Sequence, residues 1–214
     1  IKPSSSCPVV VPVMVSFEGD TPVRRHLMYK QGASLLTDAV VMDSMRLLDL
    51  LIRRELGEGL PMVQYHVLPL SEASGLLMLV PDSRTLFSIT RSGLSLLNYV
   101  LETNPQHTVE EVRKRFVRST AFSCSASLLL GFGDRHQNNM MVSTNGELFH
   151  VDFSYVFGKE PNARIAKFLG PQLRLTRDMV EALGGEESES FQTFKELCTR
   201  IYSVAQRNCK AFYY

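Results

Sequence analysis

The chain has 214 residues, with 23 Lys and Arg against 22 Asp and Glu, a formal net charge of +1 and 44% hydrophobic residues. This composition excludes a disordered, collagen-like or coiled-coil protein, and the length predicts one or two domains with an apolar core. The near-zero net charge excludes a cationic field over the whole chain, so we expect no nucleic-acid partner.

The first elements along the chain are predicted to be a β-hairpin. Residues 9–17 are rich in valine, and Pro12 within them is typical of an edge strand because proline cannot donate a hydrogen bond. The turn residues 18–20 separate this strand from a second one over residues 23–30.

A helix is predicted next, over residues 38–56. Its apolar side chains recur at helical spacing on one face: Val41, Met45, Leu48 and Ile52. Thr37 is suited to cap the start of this helix, and Gly57 is suited to end it. Alternating apolar residues then predict two strands, over residues 63–70 and 76–80.

The rest of the chain is predicted to be mainly helical. Asn145-Gly146 is a strong hairpin signal and lies between two predicted strands. The predicted elements are helices over residues 94–102 and 109–130, strands over 140–143 and 148–153, a helix from the Thr176 cap to residue 183, and a last helix from about residue 190.

This order of elements predicts an α+β protein with two lobes. Residues 1–80 form a small sheet-rich N-lobe, and residues 81–214 form a larger, mainly helical C-lobe. The change of periodicity near Pro81 sets the boundary. A cleft between two such lobes is the expected binding site.

The cysteines and the apolar runs bear on the compartment. Cys7, Cys124, Cys198 and Cys209 lie far apart, without a Cys-x-x-Cys pair, which predicts buried free thiols in a reducing, intracellular compartment. No apolar run approaches the roughly 18 residues of a membrane span. Because the chain begins at Ile1 and not at Met, we expect it to be part of a longer polypeptide.

One segment carries a pattern typical of phosphoryl transfer. The run Gly131-Phe-Gly-Asp-Arg-His-Gln-Asn-Asn139 follows a predicted helix, and the hairpin after it leads into His150-Val-Asp-Phe-Ser154. The hairpin should bring Asp152 beside Asp134 and Asn139. Carboxylate and amide oxygens are ligands for Mg²⁺, and phosphoryl transfer needs such an ion together with a group that orients the attacking hydroxyl.

The order of these motifs resembles the phosphatidylinositol 3-/4-kinase superfamily. Its signature is an Asp-Arg-His loop with Asn three residues after the His, then a strand entering Asp-Phe-Gly. The resemblance covers nearly the whole chain. Asp152-Phe-Ser-Tyr-Val-Phe-Gly looks closest to class III phosphatidylinositol 3-kinases, whereas Val67-Leu-Pro-Leu-Ser is similar to the protein Ser/Thr kinases of the superfamily.

The resemblance implies a kinase-like fold, with ATP and Mg²⁺ as cofactors and phosphatidylinositol at a membrane surface as substrate. Asp134 and His136 would activate the substrate hydroxyl and stabilise transferred charge, and which of the two accepts the proton stays open. Asn139 and Asp152 would hold the metal. Lys30 would contact the ATP phosphates.

The nucleotide pocket also follows from the resemblance. The residues expected to line the adenine are Tyr65, Leu77, Val80, Met141 and Val151. The hydroxyls of Ser4, Ser5 and Ser6 stand where the family keeps a short phosphate-binding loop. The basic residues expected to meet an inositol headgroup are Lys159, Arg164, Lys167 and Arg174.

Two departures from the family pattern favour an alternative. Ala33 stands where the family has the acidic partner of Lys30, and Asp38 is the remaining substitute for that acid. Ser154 replaces the family glycine and has less backbone freedom. These changes leave open a pseudokinase that serves as a structural subunit of a larger assembly, with protein partners or further domains; a protein Ser/Thr kinase is the third alternative.

Overall fold

The computed structural model describes residues 8–16, 21–32, 34–161 and 173–212. The predictions for Ser4, Ser5, Ser6 and Cys7, for Ala33, and for Arg164 and Lys167 lie outside the described residues. Contacts between residues divide the chain into two compact units. The first comprises the described residues of Ile1–Asp43 and Gln64–Pro81, and the second those of Ser44–Val63 and Asp82–Tyr214.

The first unit contains a four-stranded antiparallel sheet. Its strands are β1 (Val9–Val15), β2 (Val23–Gln31), β3 (Val67–Ser71) and β4 (Ser74–Met78), in the order β1-β2-β4-β3. β1 and β2 pair with Val9 opposite Tyr29, which confirms the predicted hairpin. β1 lies at an edge of the sheet, as Pro12 predicts.

The predicted strand over residues 63–70 is wrong at its start. β3 begins at Val67, although Tyr65 is buried like a strand residue. The Met78 amide of β4 donates to the His66 carbonyl at 2.8 Å, one residue before β3 begins. Alternation of apolar side chains reports which side chains are buried, and it does not show whether the backbone is paired.

Helix α1 (Leu36–Leu56) begins two residues earlier than predicted. The predicted cap, Thr37, lies within the first turn and is wrong as a cap, because the Leu36 amide instead donates to the Ser34 hydroxyl at 3.3 Å. Gly57 ends the helix as predicted, with φ of 73°. The predicted apolar face is confirmed, since its four residues are at most 2% exposed: Val41, Met45, Leu48 and Ile52.

Among its described residues, the second unit combines the later part of α1 with a small sheet and five further helices. Its antiparallel strands are β5 (Ser83–Thr85), β6 (Met140–Ser143) and β7 (Leu148–His150), in the order β5-β6-β7. The helices are α2 (Leu86–Arg91), α3 (Leu96–Thr103), α4 (Val109–Leu129), α5 (Arg177–Ala182) and α6 (Glu189–Arg207), followed by a 3₁₀ turn, Cys209–Phe212. The sequence predicted neither β5 nor α2.

Side-chain caps fix most of these helix starts. Ser95 accepts from the Asn98 amide at 3.2 Å, so α3 begins later than residue 94. Thr108 and Glu111 form a capping box at the start of α4. Thr176 caps α5, as predicted, and Ser188 caps α6.

The core of the second unit lies where α4 packs against α6 and β7. The second half of α4 is buried, as predicted, from Phe116 through Phe122 to Ala126. Ile201 and Val204 of α6 are fully buried as well. These buried apolar side chains fix the position of the end of α4. The chain continues from there into the predicted catalytic loop.

The prediction of a mixed α and β protein, with antiparallel strands first and helices after, is confirmed. The assignment of residues 1–80 and 81–214 to the two lobes of a kinase stays a prediction. The described cysteines are free thiols, with Cys124 buried, Cys198 partly buried and Cys209 exposed, so burial was wrongly predicted for Cys209, which lies in the terminal 3₁₀ turn. Across the described helices, none has the length and apolar character to span a membrane.

Candidate active site

The loop of residues 131–139 and the segment of residues 150–160 lie against each other in the second unit. Gly133 is a point of close approach, because a Cβ there would clash with the Lys159 carbonyl oxygen. The Gly133 amide donates to the Tyr155 carbonyl at 2.8 Å, and the Asp134 amide donates to Glu160 Oε2 at 3.1 Å. A side chain larger than glycine would separate the two stretches.

Arg135 also connects the loop of residues 131–139 with the segment of residues 150–160. Its side chain is buried and donates to the carbonyl oxygens of Gly133 at 2.7 Å and Val151 at 2.8 Å, and to that of Asp152. A guanidinium has five donors in a fixed planar arrangement, so it can hold several carbonyl groups at set positions. Arg135 therefore fixes the backbone on which the candidate site residues stand.

Aromatic rings enclose this guanidinium. Its Cζ atom lies 5.8 Å from the centroid of Phe132 and 5.6 Å from that of Phe153, within the range of cation–π attraction. His150 lies edge-on to Phe132, with ring centroids 5.6 Å apart. Burial, together with the nearby charge of Arg135, lowers the pKa of His150 to about 3, so this histidine is neutral.

Asn139 is held by the loop through its donor group. Its Nδ2 donates to the backbone carbonyl of Asp134 at 2.9 Å, and its backbone carbonyl accepts from the Val151 amide at 3.1 Å. The amide oxygen Oδ1 is therefore the side-chain atom that Asn139 can offer to a cation.

Asp152 lies two residues beyond the end of β7, which stops earlier than the predicted residue 153. Its φ of 60° is in the left-handed region, so the chain turns out of the sheet at this residue. Its Oδ1 accepts from the Ser154 hydroxyl at 2.7 Å and from the Ser154 amide at 3.3 Å. Asp152 thus presents its carboxylate on the same stretch that Arg135 holds against the loop.

These two ligands fit a magnesium ion that comes with a nucleotide. Within the described parts of the chain, no group of three or more His, Cys, Asp or Glu side chains could hold a metal by itself. Mg²⁺ in phosphoryl-transfer sites is bound by one or two protein oxygens together with phosphates and water. A carboxylate and an amide oxygen held by one buried frame are a donor set of that kind.

Asp134 and His136 stand on the exposed side of the loop. His136 Nε2 and Asp134 Oδ2 are 3.8 Å apart, which is beyond a hydrogen bond, and their side chains are 49% and 35% exposed. Both groups can therefore be reached by a hydroxyl from solution. Asp134 also has a left-handed backbone, with φ of 53°.

The predicted nucleotide residues divide between the two units. Met141 on β6 and Val151 after β7 are half-buried in the second unit. The others belong to the first unit: Lys30, Asp38, Tyr65, Leu77 and Val80.

Lys30 and Leu77 share one face of the first-unit sheet, because Leu77 pairs with Met28, two residues from Lys30. Asp38, in the first turn of α1, is buried, as is Tyr65. Convergence of these residues with the loop of the second unit stays a prediction.

Sequence reasoning missed three residues of this arrangement: Arg135 as the connecting group, Glu160 as the acceptor for the loop, and Ser154 as the hydroxyl on Asp152. Arg135 lies inside the Asp-Arg-His motif, three residues after Phe132, whereas Phe153 meets it only in the folded structure. The sequence carries no signal for contacts made to backbone atoms.

Comparisons with known proteins agree with the motifs. The family model described as phosphatidylinositol 3- and 4-kinase matches residues 25–213. The root isoform of phosphatidylinositol 3-kinase from Glycine max is 30% identical over 202 residues, which are 92% of this chain and 24% of that protein. Phosphatidylinositol 3-kinase VPS34 is 31% identical over 202 residues in Saccharomyces cerevisiae (92% and 22%) and 32% identical over 187 residues in Arabidopsis thaliana (85% and 22%). The chain spans about a quarter of the length of these curated relatives.

Proposed function

The chain belongs to the phosphatidylinositol 3- and 4-kinase family, and on this basis we propose that it is the catalytic part of a lipid kinase. The reaction is transfer of the γ-phosphate of ATP to an inositol hydroxyl of phosphatidylinositol, as the names of its relatives suggest. One observation carries the proposal. A single buried guanidinium, Arg135, holds the backbone that bears Asp134, Asn139 and Asp152.

The loop side chains act on the attacking hydroxyl. Its oxygen forms a bond to the γ-phosphorus while the bond from that phosphorus to the β–γ bridging oxygen breaks, and ADP leaves. The hydroxyl proton passes to Asp134 or to His136. Both are exposed and 3.8 Å apart, so one hydroxyl can lie within reach of both groups.

Asn139 and Asp152 would hold Mg²⁺ through Oδ1 and the carboxylate. The chemistry that this ion supplies when bound is neutralisation of the phosphate charge. The protein's part is to keep the two oxygens at a fixed separation before the nucleotide arrives. Arg135 does this through the backbone, so little rearrangement is needed when the phosphates bind.

In this proposal the nucleotide contacts come from both units, with Met141 and Val151 in the second unit and the others in the first. Lys30 reaches the phosphates from β2, and the adenine lies against the pocket residues named above, with Val80 at the hinge. Residues 1–80 and 81–214 are then the two lobes of the kinase. Lys159 and Arg174, in the segment after Asp152, would meet an anionic headgroup at a membrane surface.

A structural pseudokinase is the second candidate, favoured by the absence of an acid at Ala33. The backbone of Ser154 is not strained by the loss of the family glycine, so this residue does not support the pseudokinase. Among the described residues, the non-glycine residues with positive φ are Asp82, Asp134, Asp152 and Phe157, and Ser154 is not one of them. Its position therefore does not need the backbone freedom of glycine.

A radiolabelled ATP assay tests the proposal with the full-length polypeptide that carries this chain. The substrates are phosphatidylinositol vesicles and, in parallel, a protein substrate; the variants are Asp134→Asn and Asp152→Asn. We expect label in the lipid, and a loss of at least about 100-fold in each variant, because each removes a group that acts on the transferred phosphate or its acceptor.

Asp178→Asn is the matched control, since Asp178 lies in the first turn of α5 and not in the 131–139 loop or the 150–160 segment. Its activity should stay within about twofold of wild type, because asparagine keeps an oxygen that can accept from the Thr90 hydroxyl, as Asp178 does. Label in the protein substrate alone would replace the lipid kinase by a protein kinase. No label in either substrate would favour the pseudokinase.

A further inference from the structure

Glu160 makes a contact from the segment of residues 150–160 to a proposed catalytic residue. Its Oε2 accepts from the backbone amide of Asp134 at 3.1 Å. Asp134 has a left-handed backbone, with φ of 53°, a conformation that persists only where neighbouring groups fix it. The contact therefore lies on the residue whose carboxylate is proposed to act on the attacking hydroxyl.

Gly133 leaves the space that the Glu160 carboxyl group occupies. A Cβ at Gly133 would lie 3.1 Å from Glu160 Cδ and 3.2 Å from its Oε1, which is tighter than ordinary van der Waals contact. The Gly133 amide also donates to the Tyr155 carbonyl at 2.8 Å, so the segment is held against the loop beside this contact. The glycine before Asp134 therefore allows the segment to bring a carboxylate to the Asp134 amide.

The backbone of Asp134 is held on both sides. Its carbonyl oxygen accepts from Asn139 Nδ2 and from the His136 amide, each at 2.9 Å, and these donors belong to the same loop. Its amide is held by Glu160, which lies outside the loop. Arg135 cannot replace this contact, because a guanidinium has no acceptor for an amide hydrogen. Glu160 thus adds a constraint to those that lie within the loop.

Loss of the Glu160 carboxylate would release the amide side of Asp134. A hydrogen bond to a charged acceptor is stronger than one to a neutral acceptor, so this contact favours the left-handed conformation of Asp134. Without it, rotation of the backbone would displace the Asp134 side chain. Proton transfer needs heavy atoms within about 2.6–3.2 Å of each other, so a small displacement of a catalytic group lowers the rate.

We propose that Glu160 is a positioning residue, which fixes the backbone of Asp134 and so aligns the Asp134 carboxylate with the acceptor hydroxyl. The inference rests on the proposed function, since it concerns the same reaction. It also gives the segment after Asp152, which is expected to meet the lipid, a direct contact with the loop that carries the catalytic groups.

The first test measures the contact itself, and it does not depend on turnover. Hydrogen exchange of the full-length polypeptide, read by mass spectrometry on fragments of residues 131–139, reports the protection of the Asp134 amide. Glu160→Ala should raise the exchange rate of this amide about tenfold, the effect of losing one hydrogen bond to a charged group. Glu160→Gln keeps an acceptor oxygen and should stay within about threefold of wild type. Glu102→Ala is the matched control, because Glu102 is an exposed glutamate of α3, and it should leave the rate unchanged.

The second test measures phosphorylation of phosphatidylinositol vesicles by the same proteins. We expect kcat to fall about tenfold in Glu160→Ala, with the KM for ATP within about twofold of wild type, and to be largely retained in Glu160→Gln. In an Asp134→Asn background, Glu160→Ala should cause no further loss, because Glu160 acts through the Asp134 carboxylate. A merely structural role would lower the activity in both backgrounds.

Wild-type exchange and wild-type kcat in Glu160→Ala would overturn the inference while leaving the kinase proposal standing. An equal loss in Glu160→Gln and Glu160→Ala would also overturn it, because the acceptor oxygen would then not be the cause, and so would a full tenfold loss in the Asp134→Asn background. Absence of lipid phosphorylation by the wild type would overturn the proposed function, and the inference with it.

Discussion

Two aspartates of the candidate site hold backbone conformations that most residues avoid. Asp134 and Asp152 have φ of 53° and 60°. A left-handed conformation costs about 1–2 kcal/mol for a residue with a Cβ, although aspartate tolerates it better than most. The carbonyl oxygens of both residues are hydrogen-bonded, to the Asn139 side chain and to Arg135, and these contacts offset the cost. Strain held in this way is typical of functional sites.

Replacing the proposed metal ligands should remove metal-dependent nucleotide binding and leave the fold intact. Asp152→Asn and Asn139→Ala each take away an oxygen donor or its charge, at positions outside the helices and strands. Asn139→Ala also removes the hydrogen bond to the Asp134 carbonyl, so it should cost some stability without unfolding the chain. Thermal melts with ATP, with and without Mg²⁺, should show a Mg²⁺-dependent stabilisation in the wild type and none in either variant. A wild-type shift in both variants would remove these residues from the site.

His150 should make the protein less stable in acid. Its pKa is lowered to about 3 in the folded state, and an unfolded histidine has a pKa near about 6.5, so below that pH the unfolded state binds the proton more readily. The free energy of unfolding should therefore fall as the pH drops from 6.5 toward 3, by up to about 1.4 kcal/mol per pH unit.

Urea unfolding at pH 7 and pH 5, in EDTA, would measure this dependence in the wild type, His150→Gln and His66→Gln. The loss between the two pH values should shrink in His150→Gln, which cannot titrate. His66 is exposed, so its variant should keep the wild-type loss. Equal losses in all three proteins would show that the neutral state of His150 contributes nothing.

At the scale of elements, burial was easier to predict than pairing. The face of α1 was predicted because four apolar residues at helical spacing must share one side. The β6–β7 hairpin was predicted from Asn145-Gly146, but residues 144–147 form a four-residue loop, in which the Gly146 amide donates to Ser143. β5 and α2 were missed because β5 has three residues and α2 six, too short for a periodic pattern.

The same limit applies to the candidate site. Asp134, His136, Asn139 and Asp152 are proposed as site residues from their side-chain types and their order, which a motif can record. The partners of Arg135 are backbone carbonyls, which every residue has, and no pattern of side chains marks them. For this reason the sequence predicts the candidate site residues but not the contacts of Arg135 that hold their backbone.

The start of α4 offers a test at this scale. Thr108 accepts from the Glu111 amide at 3.2 Å, while Glu111 Oε2 accepts from the Thr108 amide at 2.8 Å. Thr108→Ala removes one half of this box and should lower the free energy of unfolding by about 0.5–2 kcal/mol. Thr193→Ala, at an exposed position inside α6, is the control and should cost about 0.5 kcal/mol or less, because alanine favours a helix.

Chemical denaturation would measure both variants. Equal losses of stability in Thr108→Ala and Thr193→Ala would mean that the capping box contributes no more than an ordinary hydroxyl on a helix.

At the scale of the whole molecule, the proposed catalytic and metal-binding residues lie in one of the two units, and Lys30 lies in the other. The 131–139 loop and the 150–160 segment belong to the second unit, together with their supporting helix α4. Lys30 and the sheet that carries it belong to the first. Helix α1 contributes residues to both units, since the division falls between Asp43 and Ser44. The geometry of the proposed metal ligands thus depends on contacts within one unit.

The thiols should report on opening of the second unit. Burial raises the pKa of the Cys124 thiol, and partial burial raises that of Cys198. Cys209 is exposed. Since the thiolate is the reactive form, Cys209 should react with a disulfide reagent in the native protein, Cys198 slowly, and Cys124 only on unfolding.

Labelling in a Cys7→Ser background, with and without denaturant, would show these phases. Cys209→Ser should remove the fast phase alone. Simultaneous reaction of all three thiols without denaturant would contradict a closed α4–α6 core.

The contacts of Arg135 have a consequence for how much of a variant protein accumulates. Because this residue holds the loop and the segment through carbonyl oxygens, a missense allele at Asp152 should encode a polypeptide that matures and accumulates like the wild-type product. An allele at Arg135 removes the frame itself, so its product should be cleared by quality control and should not accumulate.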